Sequence, residues 1–286
     1  MIKFITKFTA ILLLLASSVS KAQSFQGQAF YKTKTSLDDS FNLESPGMNE
    51  EMKKNLMESL KKQFEKEYVL TFNKTESVYE EEQKLDAPST SMSGGIMIRT
   101  ENSGDGKVYK NIRDKVSISE DEFFGKEFLI TDSLRTYKWK LEGESKKIGD
   151  YTCYKATYVI PVSREEKEEY EKMKSQKSDG KTQFLIMDEP KEHLVTVWYT
   201  PEIPVSHGPA EYWGLPGLIL EANFDKTVIL CSKVVLNPKQ KIEIKVPKKG
   251  KKVTNAEYQR LVEKQMEQMN NQSDNGRDGV RIEIHR

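Results

Sequence analysis

Cysteine, histidine and any marked charge bias are scarce in this 286-residue chain. It holds two cysteines, three histidines, and 45 basic against 44 acidic residues, a formal charge of +1. Such near-neutrality argues against a nucleic-acid binder, which needs a basic face to displace phosphate counterions. The three histidines (His193, His207, His285) leave few choices for a histidine-based triad. No G-x-S-x-G, Walker loop, dinucleotide fingerprint or Ca²⁺ loop supplies another chemistry. Ser59-Leu60-Lys61-Lys62 and Ser273-Asp274-Asn275 match two short elements of penicillin-recognising enzymes. The third element, K-T-G, is missing, and the serine lies in a highly charged helical stretch. "DEPKEH" (188–193) and the His207/Glu211 pair lack the three-ligand spacing of a catalytic zinc site. No catalytic residue, metal ligand or cofactor is assigned, and a hydrolase or metal-handling protein using His193 and His207 is the least supported reading.

Long apolar runs are also missing after the first residues. Lys3 and Lys7 precede an apolar stretch, Phe8 to Ala16, that is too short to span a bilayer. Ser20-Lys21-Ala22 then reads as a small-x-small cleavage site. The expectation is a cleaved signal peptide over 1–22 and an exported, single β-rich domain over 23–286, most simply periplasmic, with an extracellular location also open. Removing the leader takes away three lysines and no acid, so the formal charge falls from +1 to −2. No cysteine follows the cut, which does not suit a lipid anchor, and no later run suits a transmembrane helix.

What is abundant is strand pattern. Residues 24–36, 67–82, 106–120, "EFLITDS", "TYKWKLEGE", "DYTCYKATYVIP", "EHLVTVWYT" and "LILEANFDKTVILCSKVVL" alternate or are rich in β-branched and aromatic residues. "KIEIKV" and "VRIEIH" continue the series, and Asp225-Lys226 reads as a hairpin connection. Helical insertions are expected near 48–66, 163–177 and 254–270. Ser163/Glu166 and Thr254/Glu257 form capping boxes for the last two. Met48, Met52, Met57, Met266 and Met269 fall at helical spacings and read as packing faces rather than a copper ladder. The fold class read from this pattern is mainly β (α+β), a mostly antiparallel sheet, barrel or sandwich carrying helical insertions.

Cys153 and Cys231 each lie in a strand-like run, and in an oxidising compartment an even count permits one disulfide between them. The least ordinary stretch is "PVSHGPAEYWGLPGLILEA" (204–222). Gly208, Gly214 and Gly217 permit backbone conformations closed to other residues, while Pro209 and Pro216 fix φ. Leu215-Pro216-Gly217 suits a type II turn, with Gly217 supplying a positive φ before a strand from Leu218. Two readings stand: a structural turn with an aromatic plug, or a ligand lip formed by Tyr212, Trp213, Leu215 and Leu218.

"GLPGLI" (Gly214 to Ile219), with "WYTPEIPVSHGP" (198–209) and "KKIGDYTCYKA" (146–156) before it, resembles the GLPGLI family of exported Bacteroidetes proteins. That resemblance covers roughly 25–236 and implies a compartment rather than an activity. In layout, "IGDYTCYKA" followed by a strand ending in "VWYTPEIP" is also similar to lipoprotein-carrier-like envelope proteins. Those fold as a curved antiparallel sheet with helices plugging its concave face. This second resemblance implies a curved antiparallel sheet or half-barrel here, with the helical insertions at 48–66 and 254–270 as the plug. The functional expectation is a non-enzymatic protein that binds or carries a hydrophobic ligand, a lipid or an apolar peptide. The alternative is an accessory protein that docks on an outer-membrane transport or assembly partner through its charged helices.

Overall fold

The computed structural model describes residues 25–36, 65–82, 98–100, 107–164, 189–240, 242–273 and 282–284, with isolated helical positions at 51, 54, 58, 167, 168, 170 and 171. The expected leader and most of the expected helices near 48–66 and 163–177 lie outside the described residues.

One large, curved, unclosed sheet of 12 strands dominates. Its first half is a meander of β1 (Gln26–Thr35), β2 (Lys66–Asn73), β3 (Glu76–Glu81), β5 (Val108–Asn111), β6 (Val116–Phe123) and β7 (Lys126–Ser133). Its second half is a meander of β8 (Lys140–Ile148), β9 (Tyr151–Ile160), β10 (His193–Thr200), β11 (Leu218–Phe224) and β12 (Thr227–Leu236). The halves join where β1 pairs antiparallel with β12, so the first and last meander strands lie side by side at the middle. The sheet is mixed rather than wholly antiparallel, because β13 (Lys251–Val253) returns to the far edge and pairs parallel with β7. A separate two-stranded parallel sheet joins β4 (Ile98–Thr100) to β14 (Ile282–Ile284).

Local chemistry explains where the chain turns. Two of the expected strands, 67–82 and 106–120, are each hairpins, broken at an asparagine. The Asn73 Oδ1 accepts from the amides of Thr75 and Glu76, and the Asn111 Oδ1 from those of Arg113 and Asp114. Each side chain caps its own turn and so competes with strand continuation. Asp225-Lys226 makes the two-residue hairpin expected of it, with Asp225 at φ 47°. "KIEIKV" (241–246), expected to be a strand, is irregular over its described residues 242–246, and 134–139 is an extended loop rather than the start of β8.

Helix α1 (Asn255–Ser273) opens on the Thr254/Glu257 capping box. The Glu257 carboxylate accepts from the Thr254 amide at 2.8 Å, and the Thr254 hydroxyl accepts from the Glu257 amide at 3.2 Å. α1 does not plug the sheet's interior. It packs at the β7/β13 end, where Tyr258 meets Phe128 and Val253.

The interior is filled instead by a loop, residues 201–217 between β10 and β11. Ile203 and Val205 enter one core cluster with Tyr31, Leu70, Phe72, Cys153, Leu218, Leu220 and Cys231. Tyr212 and Leu215 enter a second with Val195, Val197, Tyr199, Ile219 and Ala222. β11 is therefore covered on both faces at its start, which accounts for the unbroken apolar run "LIL". Burying each such side chain contributes about 1.5–3 kcal/mol.

Candidate functional site

The loop is held from below by β5. Lys110 is fully buried. Its ammonium donates to the backbone carbonyls of Gly208 at 2.8 Å, Ala210 at 2.5 Å and Tyr212 at 3.1 Å. Three N–H donors meet three carbonyls, so each proton of the ammonium is taken. Burial pulls the Lys110 pKa down to about 7, against the pull of the Glu211 carboxylate in the other direction. Ala210, in the middle of the clamped segment, takes a left-handed φ of 47°.

His207 lies beside this clamp, fully buried against Phe72. Its Nε2 contacts the Asn73 carbonyl at 3.0 Å; a carbonyl only accepts, so Nε2 carries the proton and donates. Burial, then the neighbouring Lys110 charge, hold the imidazole pKa down to about 3, with the Asn73 carbonyl opposing. The Nδ1 of His207 and the Oγ of Ser77 are both buried without a hydrogen-bond partner. Ser77 is the β3 residue directly opposite Lys110. The other sequence-stretch histidine, His193, is far away in kind: it pairs through Nδ1 with Asp225 at the β11–β12 turn, at 2.8 Å. His193 and His207 thus belong to separate environments.

Further along the loop the chain doubles back onto β11. The amides of Leu218 and Ile219 donate to the carbonyls of Ile203 and His207, both at 3.0 Å, and that of Gly214 to Ser206 at 3.1 Å. The Tyr31 hydroxyl reaches across from β1 to the Ile219 carbonyl at 2.6 Å. The positive φ lies at Gly214 (96°) and not at Gly217, as a type II turn would require. Gly217 is needed for a different reason: a Cβ there would stand 2.2 Å from the Thr200 carbonyl oxygen, so two backbones touch.

The sequence-predicted ligand residues divide by exposure. Tyr212, Leu215 and Leu218 are buried, with Gly208, Pro209, Gly217 and Ile219, whereas Gly214 and Pro216 are exposed and Trp213 is half-buried. Around Tyr212 and Trp213 stand rings that sequence reasoning did not assign. Tyr137 stacks on Trp139 (centroids 5.1 Å apart) and meets Tyr158 edge-on at 5.2 Å, and Tyr212 lies 5.9 Å from Tyr137. Indole N–H groups tie the two loops together: Trp139 donates to the Trp213 carbonyl at 2.8 Å and Trp213 to the Arg135 carbonyl at 2.7 Å. The Arg135 guanidinium sits 5.6 Å from the Tyr137 ring and 5.8 Å from the Tyr158 ring. The result is an aromatic wall in which Trp139, Tyr158 and Trp213 remain partly open. The Tyr137 hydroxyl is buried near the Glu211 carboxylate, and burial, followed by the charge of Glu211, pushes its pKa up. The aromatic-rich "TYKW" (136–139) is the signal that, placed beside "EYW", marks this wall.

Cys153 and Cys231, expected to bridge, are free thiols. Both are buried in the same core cluster, on β9 and β12, strands that are separated in the sheet by β10 and β11. Burial pushes both pKa values up to about 11.

The profile of a family described as "Protein of unknown function (Porph_ging)" matches residues 139–221, less than a third of the chain. The matched span runs from Trp139 through β8–β10 and the clamped loop to the start of β11. No curated protein matches. Two solved structures of PNGF-II, in the C2 and P21 space groups, are similar over 84% of this chain, with TM-scores of 0.46 and 0.45 and 13% identity. The chain spans about a third (33%) of those proteins' length.

Proposed function

We propose that this chain is a GLPGLI-type exported protein and that it acts, without catalysis, as a cell-envelope protein that binds or carries an apolar ligand, a lipid or an apolar peptide. The observation that supports this reading is the aromatic wall. Trp139, Tyr158 and Trp213 are partly open, yet locked by indole hydrogen bonds and by the rings of Tyr137 and Tyr212 behind them. Rings fixed before binding lose little conformational freedom on binding, so their apolar area converts efficiently to affinity. Arg135 beside the wall suits an anionic head group on an otherwise apolar molecule. Within this reading Tyr212 and Leu215 support the wall from the core, Leu218 belongs to the neighbouring core cluster, and Trp213 meets the ligand. The family membership rests on "GLPGLI" at 214–219 and its two flanking motifs, all inside the matched span.

Titration of the intrinsic tryptophan fluorescence with oleate tests it. Trp213→Ala should weaken oleate binding about tenfold or more while the sheet's circular dichroism is kept. Unchanged binding with only a lower melting temperature would make the stretch a structural turn.

A second reading, an accessory protein docking on an outer-membrane partner, is favoured by one observation. Val159 and Leu194 face each other across β9 and β10, and both are about half exposed (48% and 54%) at the strand ends from which the charged 163–177 segment departs. Deleting 164–176 should abolish partner capture without unfolding the sheet; retained capture would remove this reading.

A further inference from the structure

The β6–β7 hairpin turns through Phe124 and Gly125, at φ 51° and 71°, with Phe123 opposite Lys126. A two-residue turn with both central φ positive favours asparagine or glycine, because a large side chain is strained in the left-handed region. Here the first position is a phenylalanine whose ring is 44% exposed, while Phe123 packs inward toward Phe128 and Tyr258. The Phe124 ring meets Phe123 edge-on, centroids 4.6 Å apart, but does not itself enter the cluster of Phe128, Val253 and Tyr258, so burial gives little to offset its conformation.

Beside this tip lies "KKGKK", residues 248–252. The amides of Lys248 and Lys249 donate to one oxygen of the Glu120 carboxylate, at 2.9 and 3.0 Å. That fixes the loop by its backbone and leaves both ammonium groups in water. Gly250, at φ 99°, presses against the backbone of Glu127 and Phe128, where a Cβ would come within 2.6 Å, so the loop is seated directly on β7. Lys251 and Lys252 continue opposite Phe128 and Leu129, a few residues from the tip. With Lys126, five exposed lysines flank one exposed phenylalanine. The acids at this end are Glu120, engaged by the loop amides, Asp121, which accepts from the Tyr258 hydroxyl, Glu257, which faces Lys251, and Glu122 and Glu127, opposite each other across β6 and β7. Lys248, Lys249 and Lys252 form no ion pair among the described residues.

We propose that this end of the sheet docks on an anionic lipid surface: the lysines lie against phosphate head groups and the Phe124 ring enters the head-group/acyl boundary. The chemistry is that of an interfacial site in which projecting ammonium groups flank an exposed ring, with five carboxylates at the same end opposing them. Each lysine near the surface adds at most about fivefold to binding, and salt screens the effect. It is independent of the apolar-ligand reading, since the aromatic wall belongs to loops 134–139 and 209–215 and to Tyr158 on β9.

Co-sedimentation of the whole protein with phosphatidylcholine vesicles, with and without about 30% phosphatidylglycerol, decides it. Binding is expected on the anionic vesicles only, and to fall in high salt. Replacing Lys248, Lys249, Lys251 and Lys252 by Gln should weaken it by up to about 600-fold. Phe124→Asn should weaken it about tenfold while leaving the melting temperature the same or higher, because asparagine suits the turn. Trp213→Ala should leave it unchanged. Absence of vesicle binding, equal binding to both vesicle types, or variants that bind like the wild type would each overturn the proposal.

Discussion

The Lys110 ammonium lies 3.1 Å from the carbonyl oxygen of Tyr212, a residue 102 positions further along the chain. Through that contact and its two companions to Gly208 and Ala210, a β5 side chain fixes the loop that opens the GLPGLI stretch. Lys110→Met removes three donors and leaves three carbonyls facing an apolar side chain, at a cost of roughly 2–4 kcal/mol. Hydrogen exchange should then quicken at the amides of Tyr212 and Gly214, which are held by loop geometry, while β9 amides stay protected. Uniform quickening across the sheet would mean that Lys110 supports the whole core rather than the loop.

His207 links stability to acid. Its folded pKa of about 3 lies below the ordinary imidazole value, so the unfolded chain binds the extra proton first. The stability it contributes is present above pH about 6.5 and is lost as pH falls toward 3, on the order of 4–5 kcal/mol if fully expressed. Melting temperature measured from pH 7 down to 3 should fall more steeply for the wild type than for His207→Asn. Parallel slopes would place the acid sensitivity elsewhere. The Lys110 transition, near 7, lies outside most of this window.

Glycine substitutions separate contact from conformation. Gly217→Ala forces a Cβ into the Thr200 carbonyl and should cost more than about 3 kcal/mol or prevent folding. Gly143→Ala, in the exposed edge strand β8 with nothing within 4 Å of the added carbon, should be neutral within about 0.5 kcal/mol. Chemical denaturation of the two variants checks the contrast.

The thiols should be silent in the native protein. Cys153 and Cys231 are buried with pKa values near 11, so little thiolate forms at pH 8 and little reagent reaches it. A thiol reagent should label both only after denaturation, without prior reduction. An unreduced protein that takes up no label in denaturant would reveal a bridge between them.

Much of the fold is legible in the sequence, for identifiable reasons. Alternation in 26–35, 151–160 and 193–200, the Asp225-Lys226 hairpin and the Thr254/Glu257 box are local signals, and local structure follows them. The breaks at Asn73 and Asn111 were also written there, in side chains that satisfy their own turn amides, but β-propensity around them masks the signal. What periodicity does not carry is the partner of a distant contact. Nothing around Lys110 distinguishes it from the chain's other lysines, and its role appears only once β5 passes under residues 208–212. For the same reason the interior is filled by the 201–217 loop, whose apolar residues have no regular spacing, while Tyr258 and Val262 of α1 pack at the β7/β13 end. The candidate wall was half legible: Tyr212 and Trp213 stand out by composition, whereas Tyr137, Trp139 and Tyr158 join them through the fold.

The most direct test of the binding reading is native mass spectrometry of the protein purified under mild conditions, repeated with added oleate. A wild-type protein carrying a non-covalent mass that leaves on denaturation and resolves as lipid, with that occupancy much reduced in Trp213→Ala, is the predicted result. A protein that stays empty at every oleate concentration, or equal occupancy in wild type and variant, would contradict it.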